Sequence, residues 1–154
     1  MRTALVAMVL FVGAARSAAG QAAGPEIFRE VSVEPLGRIA LGRVFIGDRA
    51  IERVGENLYQ LPAGFGDTKA ILVQVDSSAI VQALYFVYED GKDFEATGAD
   101  YTFALGAPVH RSEADSAGIR IRRLRWEDPR TIFEVIEHGS SGDGSAVFAV
   151  LRDR

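Results

Sequence analysis

The sequence predicts an α+β protein, an antiparallel sheet with one or two helices packed on one face, and three patterns carry that expectation. Along residues 79–88, Ile80, Leu84, Phe86 and Tyr88 alternate with Val81, Ala83, Tyr85 and Val87, the period-two signature of a strand with two apolar faces. Along residues 92–105, Phe94, Gly98, Tyr101 and Leu105 recur at helical spacing, so one face of a helix is set for burial. Residues 119–126, 131–137 and 146–151 then return to strand-like patterns, joined by Glu127-Asp128-Pro129 and by a Gly- and Ser-rich stretch over 139–145. Antiparallel strands with helices segregated to one face define the class.

Taken in chain order, residues 27–33 carry a short alternation, Arg29, Val31 and Val33, closed by Pro35 and Gly37. Residues 38–47 are apolar around Gly42 and read as a strand or an extended lead into a helix. That helix is expected over residues 48–54, with Asp48 as N-cap, Ile51 and Val54 on one face, and Gly55 as its stop. Residues 57–61, 70–75 and 79–88 read as three strands, the last two joined as a hairpin by the polar turn Asp76, Ser77 and Ser78. The second helix, residues 92–105, opens at Asp90 and Asp93 in a capping-box-like arrangement and ends at Gly106 and Pro108. Gly98 in its interior costs about 1 kcal/mol relative to Ala, which implies close packing of helix on sheet; a cavity or a kink is the rival reading. The chain thus reads as a tandem, a helix followed by three strands over residues 48–88 and again over 92–151. The halves share element order and not sequence.

The N-terminus is unlike the rest. Arg2 precedes an unbroken apolar or small run over residues 4–15, and small residues follow from Ser17 to Ala23. A basic start, an apolar stretch of roughly 7–15 residues and a small-residue exit are the parts of a secretory signal peptide. The run is shorter than the roughly 20 residues a bilayer crossing needs. Residues 1–19 are accordingly expected to be removed, with Ser17 and Ala19 as the small pair at the cut; Ala22 or Ala23 would serve for a later one. Residues 20–37 form a lead-in with one short strand, residues 38–154 a single α+β domain, and the protein is expected to be extracytoplasmic, periplasmic or secreted. Loss of residues 1–19 takes away Arg2 and Arg16, moving the formal charge from −4 to about −6. That acidity excludes a general nucleic-acid binder, whose affinity comes from neutralising phosphates. No cysteine is present to form a disulfide or accept a lipid, so the hydrophobic core must suffice.

The step Leu105-Gly106-Ala107-Pro108, at the end of a helix that leads into strands, resembles the Leu-Gly-x-Pro step of the β-lactamase-inhibitor-protein-like fold and of the BamE-like outer-membrane assembly lipoproteins. The first half keeps the glycine, in Val54-Gly55-Glu56-Asn57, but lacks the proline, and the lipid-accepting cysteine is missing. The resemblance spans residues 39–152 in organisation. It implies a protein-binding module of the cell envelope with no catalytic residues to transfer.

Other chemistry fails on inventory. Two histidines, His110 and His138, and no cysteine fall short of the three or four ligands of a zinc site; His110 with Glu113 and Asp115 would make a weak one at best. Ser77, Ser78, Ser140 and Ser141 lie in turn-like stretches without a Gly-x-Ser-x-Gly elbow. Gly64-Phe65-Gly66 lacks the third glycine of a dinucleotide fingerprint and precedes a strand. No cofactor, metal or catalytic set is therefore expected.

The unusual feature is basic. Ile119 and Ile121 share one parity and Leu124 and Trp126 the other, so a β-bulge at Arg122 and Arg123 would return all four to one face and line Arg120, Arg122, Arg123 and Arg125 along the opposite one. Two uses of such a ladder stand side by side: cross-strand pairing with Glu134 and Glu137, or reception of a protein or an anionic envelope component, for which the planar guanidinium fork is suited. The functional expectation is a non-catalytic exported binding module. Its alternative is a small-ligand carrier or small enzyme with a pocket between helix and sheet, lined by Phe86, Tyr88, Phe94 and Tyr101.

Overall fold

The computed structural model describes residues 26–34, 36–47, 51–61, 66–140 and 144–154; the expected signal peptide lies outside them. Ten strands and one helix follow in the order β1 (Glu30–Val33), β2 (Gly37–Ala40), β3 (Glu52–Gly55), β4 (Leu58–Gln60), β5 (Thr68–Val75), β6 (Val81–Tyr88), α1 (Phe94–Leu105), β7 (His110–Ser116), β8 (Ile119–Glu127), β9 (Thr131–Ser140) and β10 (Gly144–Asp153). β1 and β2 form a hairpin of their own. The other eight make one antiparallel sheet in the order β3-β4-β5-β6-β10-β9-β8-β7. Two four-stranded meanders are thus joined through their last strands, β6 and β10, with Ala149 opposite Phe86 and Leu151 opposite Leu84.

This corrects the expected α+β class. Among the described residues the protein is mostly β, with a single helix of 12 residues. The helix expected over residues 48–54 does not form: Glu52–Gly55 is an edge strand, and residues 48–50 lie outside the described ones. Ile51 and Val54 have helical spacing by coincidence, since Val54 is exposed on a strand. The organisation that carries the resemblance above, two copies of a helix followed by strands, is therefore not the observed one. A second departure is β7, whose sequence HRSEADS holds no large apolar residue. Its strand state comes from pairing with β8 through a two-residue turn, Ala117-Gly118, both at positive φ (53° and 78°). That is the hairpin geometry matching the strand twist, and glycine takes it without strain.

The helix is where the sequence puts it. Asp93 caps it, its carboxylate accepting from the Ala96 N–H at 2.7 Å, and Gly106 ends it at φ 79° with its N–H bonded to the Thr102 carbonyl. β6 lies at the middle of the sheet and β7 at its edge, so the connection must cross the sheet, and α1 does so over β9 and β8. Gly98 meets Leu124 of β8, the Trp126 indole N–H donates to the Gly106 carbonyl at 2.8 Å, and the Tyr101 ring lies 4.5 Å from that of Phe133. The segment before β1 covers the same face farther along: Phe28 packs on Phe86 and Phe133, the Ile27 N–H donates to the Asp128 carboxylate, and Arg29 pairs with Asp153 at 2.5 Å. Cross-strand partners share a face, so the covered face is defined by Ile71, Val73, Leu84, Phe86, Ala149, Leu151, Phe133, Val135, Leu124 and Trp126, all buried. The opposite face carries Leu72, Tyr85, Val87, Phe148, Ile119 and Ile121, none of them buried, interleaved with the smaller or flanked Ala83, Ile132, Ile136 and Val150, which are buried within the sheet surface but stand outside the main core cluster.

A Cβ on Gly98 would lie 2.4 Å from Leu124 Cδ1. Overpacking of about 1–3 kcal/mol then outweighs the roughly 1 kcal/mol gain in helix propensity. Gly98→Ala should lower the urea midpoint by the equivalent of about 1 kcal/mol, and Leu124→Val, which makes room, should recover part of that loss when the two are combined.

Candidate functional site

The basic strand settles the parity question. β8 pairs without interruption with β9, from Ile119 opposite Ser140 to Glu127 opposite Ile132, and equally without interruption with β7. The expected bulge at Arg122 and Arg123 is absent. Arg120 and Arg122 therefore join Leu124 and Trp126 on the covered face, while Arg123 and Arg125 join Ile119 and Ile121 on the open one. Two apolar residues are left part-exposed, Ile119 at 42% and Ile121 at 36%. A bulge would have broken two ladders, and at the outer end of the open face that exchange is unfavourable.

Each pair of arginines finds one buried carboxylate of β9. On the covered face Arg122 Nε donates to Glu137 at 2.5 Å and its Nη1 to Glu95 of α1 at 3.0 Å, with the guanidinium carbon 4.5 Å from the centre of the Phe94 ring. Arg120 lies 3.5 Å from Glu137, and Arg111 bonds Glu95 at 2.7 Å. Glu113 and Asp115 of β7 are the cross-strand partners of Arg122 and Arg120. This cluster has at least as many carboxylates as guanidiniums. The hydrogen bond from Arg122 holds the Glu137 carboxyl below its ordinary range against the opposing effect of burial, and Glu137 in turn raises Arg122.

The open face is balanced differently. Glu134, 5% exposed, is among the described residues the one carboxylate in contact with three guanidiniums: Arg125 Nε donates at 3.1 Å, Arg152 Nη2 at 3.4 Å, and Arg123 Nε stands 3.6 Å away. That Arg123 Nε is buried and has no hydrogen-bond partner. The three arginine side chains remain 31–42% exposed. Arg152 is absent from the sequence-derived ladder because it sits on β10, two strands away, and only the register Arg152 opposite Ile132 brings it alongside.

The expected pocket residues come together, but as packing. Phe86, Tyr88 and Phe94 are buried, and the Tyr88 and Tyr101 hydroxyls meet at 2.7 Å between helix and sheet. Burial raises both phenols above their ordinary range. Two recesses lie elsewhere, one of about 300 Å³ beside Arg38, Arg43 and Phe45 and one of about 230 Å³ beside Ile51 and Tyr59. His110 faces the open side of β7 and Glu113 and Asp115 the other, and among the described residues no group of three or more His, Cys, Asp or Glu is placed to hold a metal ion. No helix of the described residues is long and apolar enough to cross a membrane. Comparison with protein-family profiles, curated proteins and solved structures finds no match for this chain.

Because the folded value of Glu137 lies below its ordinary 4.5, its ionised form adds stability that is complete above about pH 5 and drains away as pH falls through the lowered value. Glu137→Gln should lower stability at pH 7 by about 1–3 kcal/mol and flatten the acid limb of a stability–pH profile measured by urea denaturation.

Proposed function

We propose that this chain is an exported, non-catalytic binding module and that its contact surface is the uncovered face of the eight-stranded sheet. The observation that carries the reading is the one-sided placement of everything else: α1 and the segment around Phe28 lie on one face, leaving the other with a part-buried apolar band and the Glu134 cluster. Antiparallel sheets tolerate a solvated face, but such faces ordinarily alternate to polar residues. Here Leu72, Tyr85, Val87 and Phe148 adjoin Ala83, Val150 and Ile136 instead. Contiguous apolar surface bordered by charge is the signature of an interaction site. The close packing of Tyr88 on Tyr101 gives no support to the alternative of a ligand carrier with a pocket there. Export rests on the basic, apolar and small-residue succession over residues 1–23.

Hydroxyl-radical footprinting of the mature chain, with and without a soluble envelope extract of the producing cell, tests the surface. Oxidation of Tyr85 and Phe148 should fall while that of Phe103, 96% exposed on α1, stays unchanged; protection of Phe103 alone, or of none of the three, counts against it. N-terminal sequencing of the exported product should begin at Gly20, or at Ala23 or Gly24 for the later cuts, and recovery of the chain only in the cytoplasm with Met1 in place would remove export from the reading.

A further inference from the structure

We infer that Arg123, Arg125 and Arg152, gathered round Glu134 on the open face, receive a carboxylate of an acidic, apolar peptide segment supplied by a partner protein. The inference rests on the binding-module reading and gives it a partner chemistry.

Three guanidiniums share one carboxylate here. The nearest other acid on this face, Glu127, two residues beyond Arg125 on β8, makes no ion pair with them. The corresponding cluster on the covered face is balanced by Glu95, Glu137, Glu113 and Asp115, so surplus positive charge is a property of the open side alone. Acceptor oxygens are short as well as charge. Glu134 Oε1 serves Arg125 and Oε2 serves Arg152, while the buried Arg123 Nε goes without a hydrogen bond. What a partner's carboxylate can reach is the exposed part of these guanidiniums and not the buried Arg123 Nε, and there the planar fork matches a carboxylate in two-point geometry.

The surroundings choose among anions. Register places Arg125, Glu134, Val150, Tyr85 and Leu72 in one row across β8, β9, β10, β6 and β5, and Arg123, Ile136, Phe148 and Val87 in the next. Towards β10, β6 and β5 the face is thus aliphatic and aromatic, with Gln74 and Gln60 the neutral polar groups on β5 and β4, while on the edge strand β7 His110 stands opposite Arg125. A sugar polymer would find few free polar partners in this band, since the Tyr85 hydroxyl already donates to Gln74, and a polyphosphate would leave the apolar part unused. A membrane would need apolar residues that protrude, whereas these are half-buried in the sheet. A peptide that alternates carboxylate and apolar side chains satisfies both parts, and in an acidic protein the patch is the place where an acidic partner is attracted and not repelled.

Fluorescence anisotropy at low salt with a labelled octapeptide alternating glutamate and leucine tests this, against its glutamine counterpart. The acidic peptide should bind at least about tenfold more tightly than the neutral one, and Arg123→Gln with Arg152→Gln should remove that margin. Because those changes strip a buried glutamate of partners, Glu134→Gln is the second arm: it removes the internal competitor and should tighten the acidic peptide several-fold. Arg111→Gln on the covered face should leave affinity unchanged. Equal binding of the neutral peptide, no gain with Glu134→Gln, or tighter binding through the same arginines to phosphatidylglycerol vesicles overturns the inference. Footprint protection of Tyr85 and Phe148 by the extract without any peptide binding removes only the carboxylate site; absence of both effects removes the module reading too.

Discussion

The antiparallel pairing of β6 with β10 is the constraint on which the rest depends. It fuses two meanders, β3 to β6 and β7 to β10, into one sheet by their inner strands and so sends their first strands, β3 and β7, to opposite edges. The chain leaving β6 must then travel from the middle of the sheet to an edge before β7 can begin. One helix spans that distance and can lie on one face only. Its weight falls on β8 and β9, where Gly98 lets it approach Leu124, and the Phe28 segment covers the neighbouring part of the same face. Ile71, Val73, Leu84, Phe133, Val135 and Leu151 gain a dry core from this arrangement, whereas on the other side Leu72, Tyr85, Val87 and Phe148 stay half-buried and even the buried Ile136 and Val150 stand outside that core cluster.

The charges follow the same geometry. Glu134 and Glu137 are three apart on β9 and must point to opposite faces, as must Arg125 and Arg122 opposite them on β8. Continuous register then gives each buried carboxylate arginines on its own side, and neither is left alone at the large desolvation penalty of an unpaired buried charge. The two clusters differ in what lies above them. Over Glu137 sits α1, which contributes Glu95; over Glu134 no described element sits, and the third arginine comes from β10 within the sheet. A structural ion-pair cluster on one face and a cationic patch on the other arise from the same pair of strands, β8 and β9, with β10 adding Arg152 to the second.

Much of this was legible in the sequence. Period-two alternation located β5, β6, β8, β9 and β10, the Gly106 stop closed α1, and Gly98 signalled the close approach to the sheet. The Asp90 and Asp93 pair marked the start of α1, which falls at Asp93 as cap and Phe94 as first residue and not at residue 92. β7 was hidden because an edge strand with neither face buried needs no apolar pattern; its one local signal is the Ala117-Gly118 turn, weaker than Asn-Gly or Asp-Gly. β3 is masked by Ile51 and Val54, whose helical spacing a short edge strand satisfies as well. Half of the candidate site was legible. Arg123 and Arg125 could be named, and the matched spacing of Arg122 and Arg125 with Glu137 and Glu134 was available as an argument against a bulge, but the apolar parity slip argued for one. Arg152 required knowledge that β10 lies beside β9, which is a fact of topology and not of local pattern.

The central claim, that one face of this sheet is covered and the other open, is tested most directly by solvent paramagnetic relaxation of methyl groups with a neutral gadolinium chelate. Strong enhancement is predicted at Leu72, Val87, Ile119 and Ile121 and little at Val73, Leu84, Val135 and Leu151, which lie on the covered face of the same sheet. Equal protection of the two sets would mean that something covers the second face, and the contact surface proposed for it would be lost.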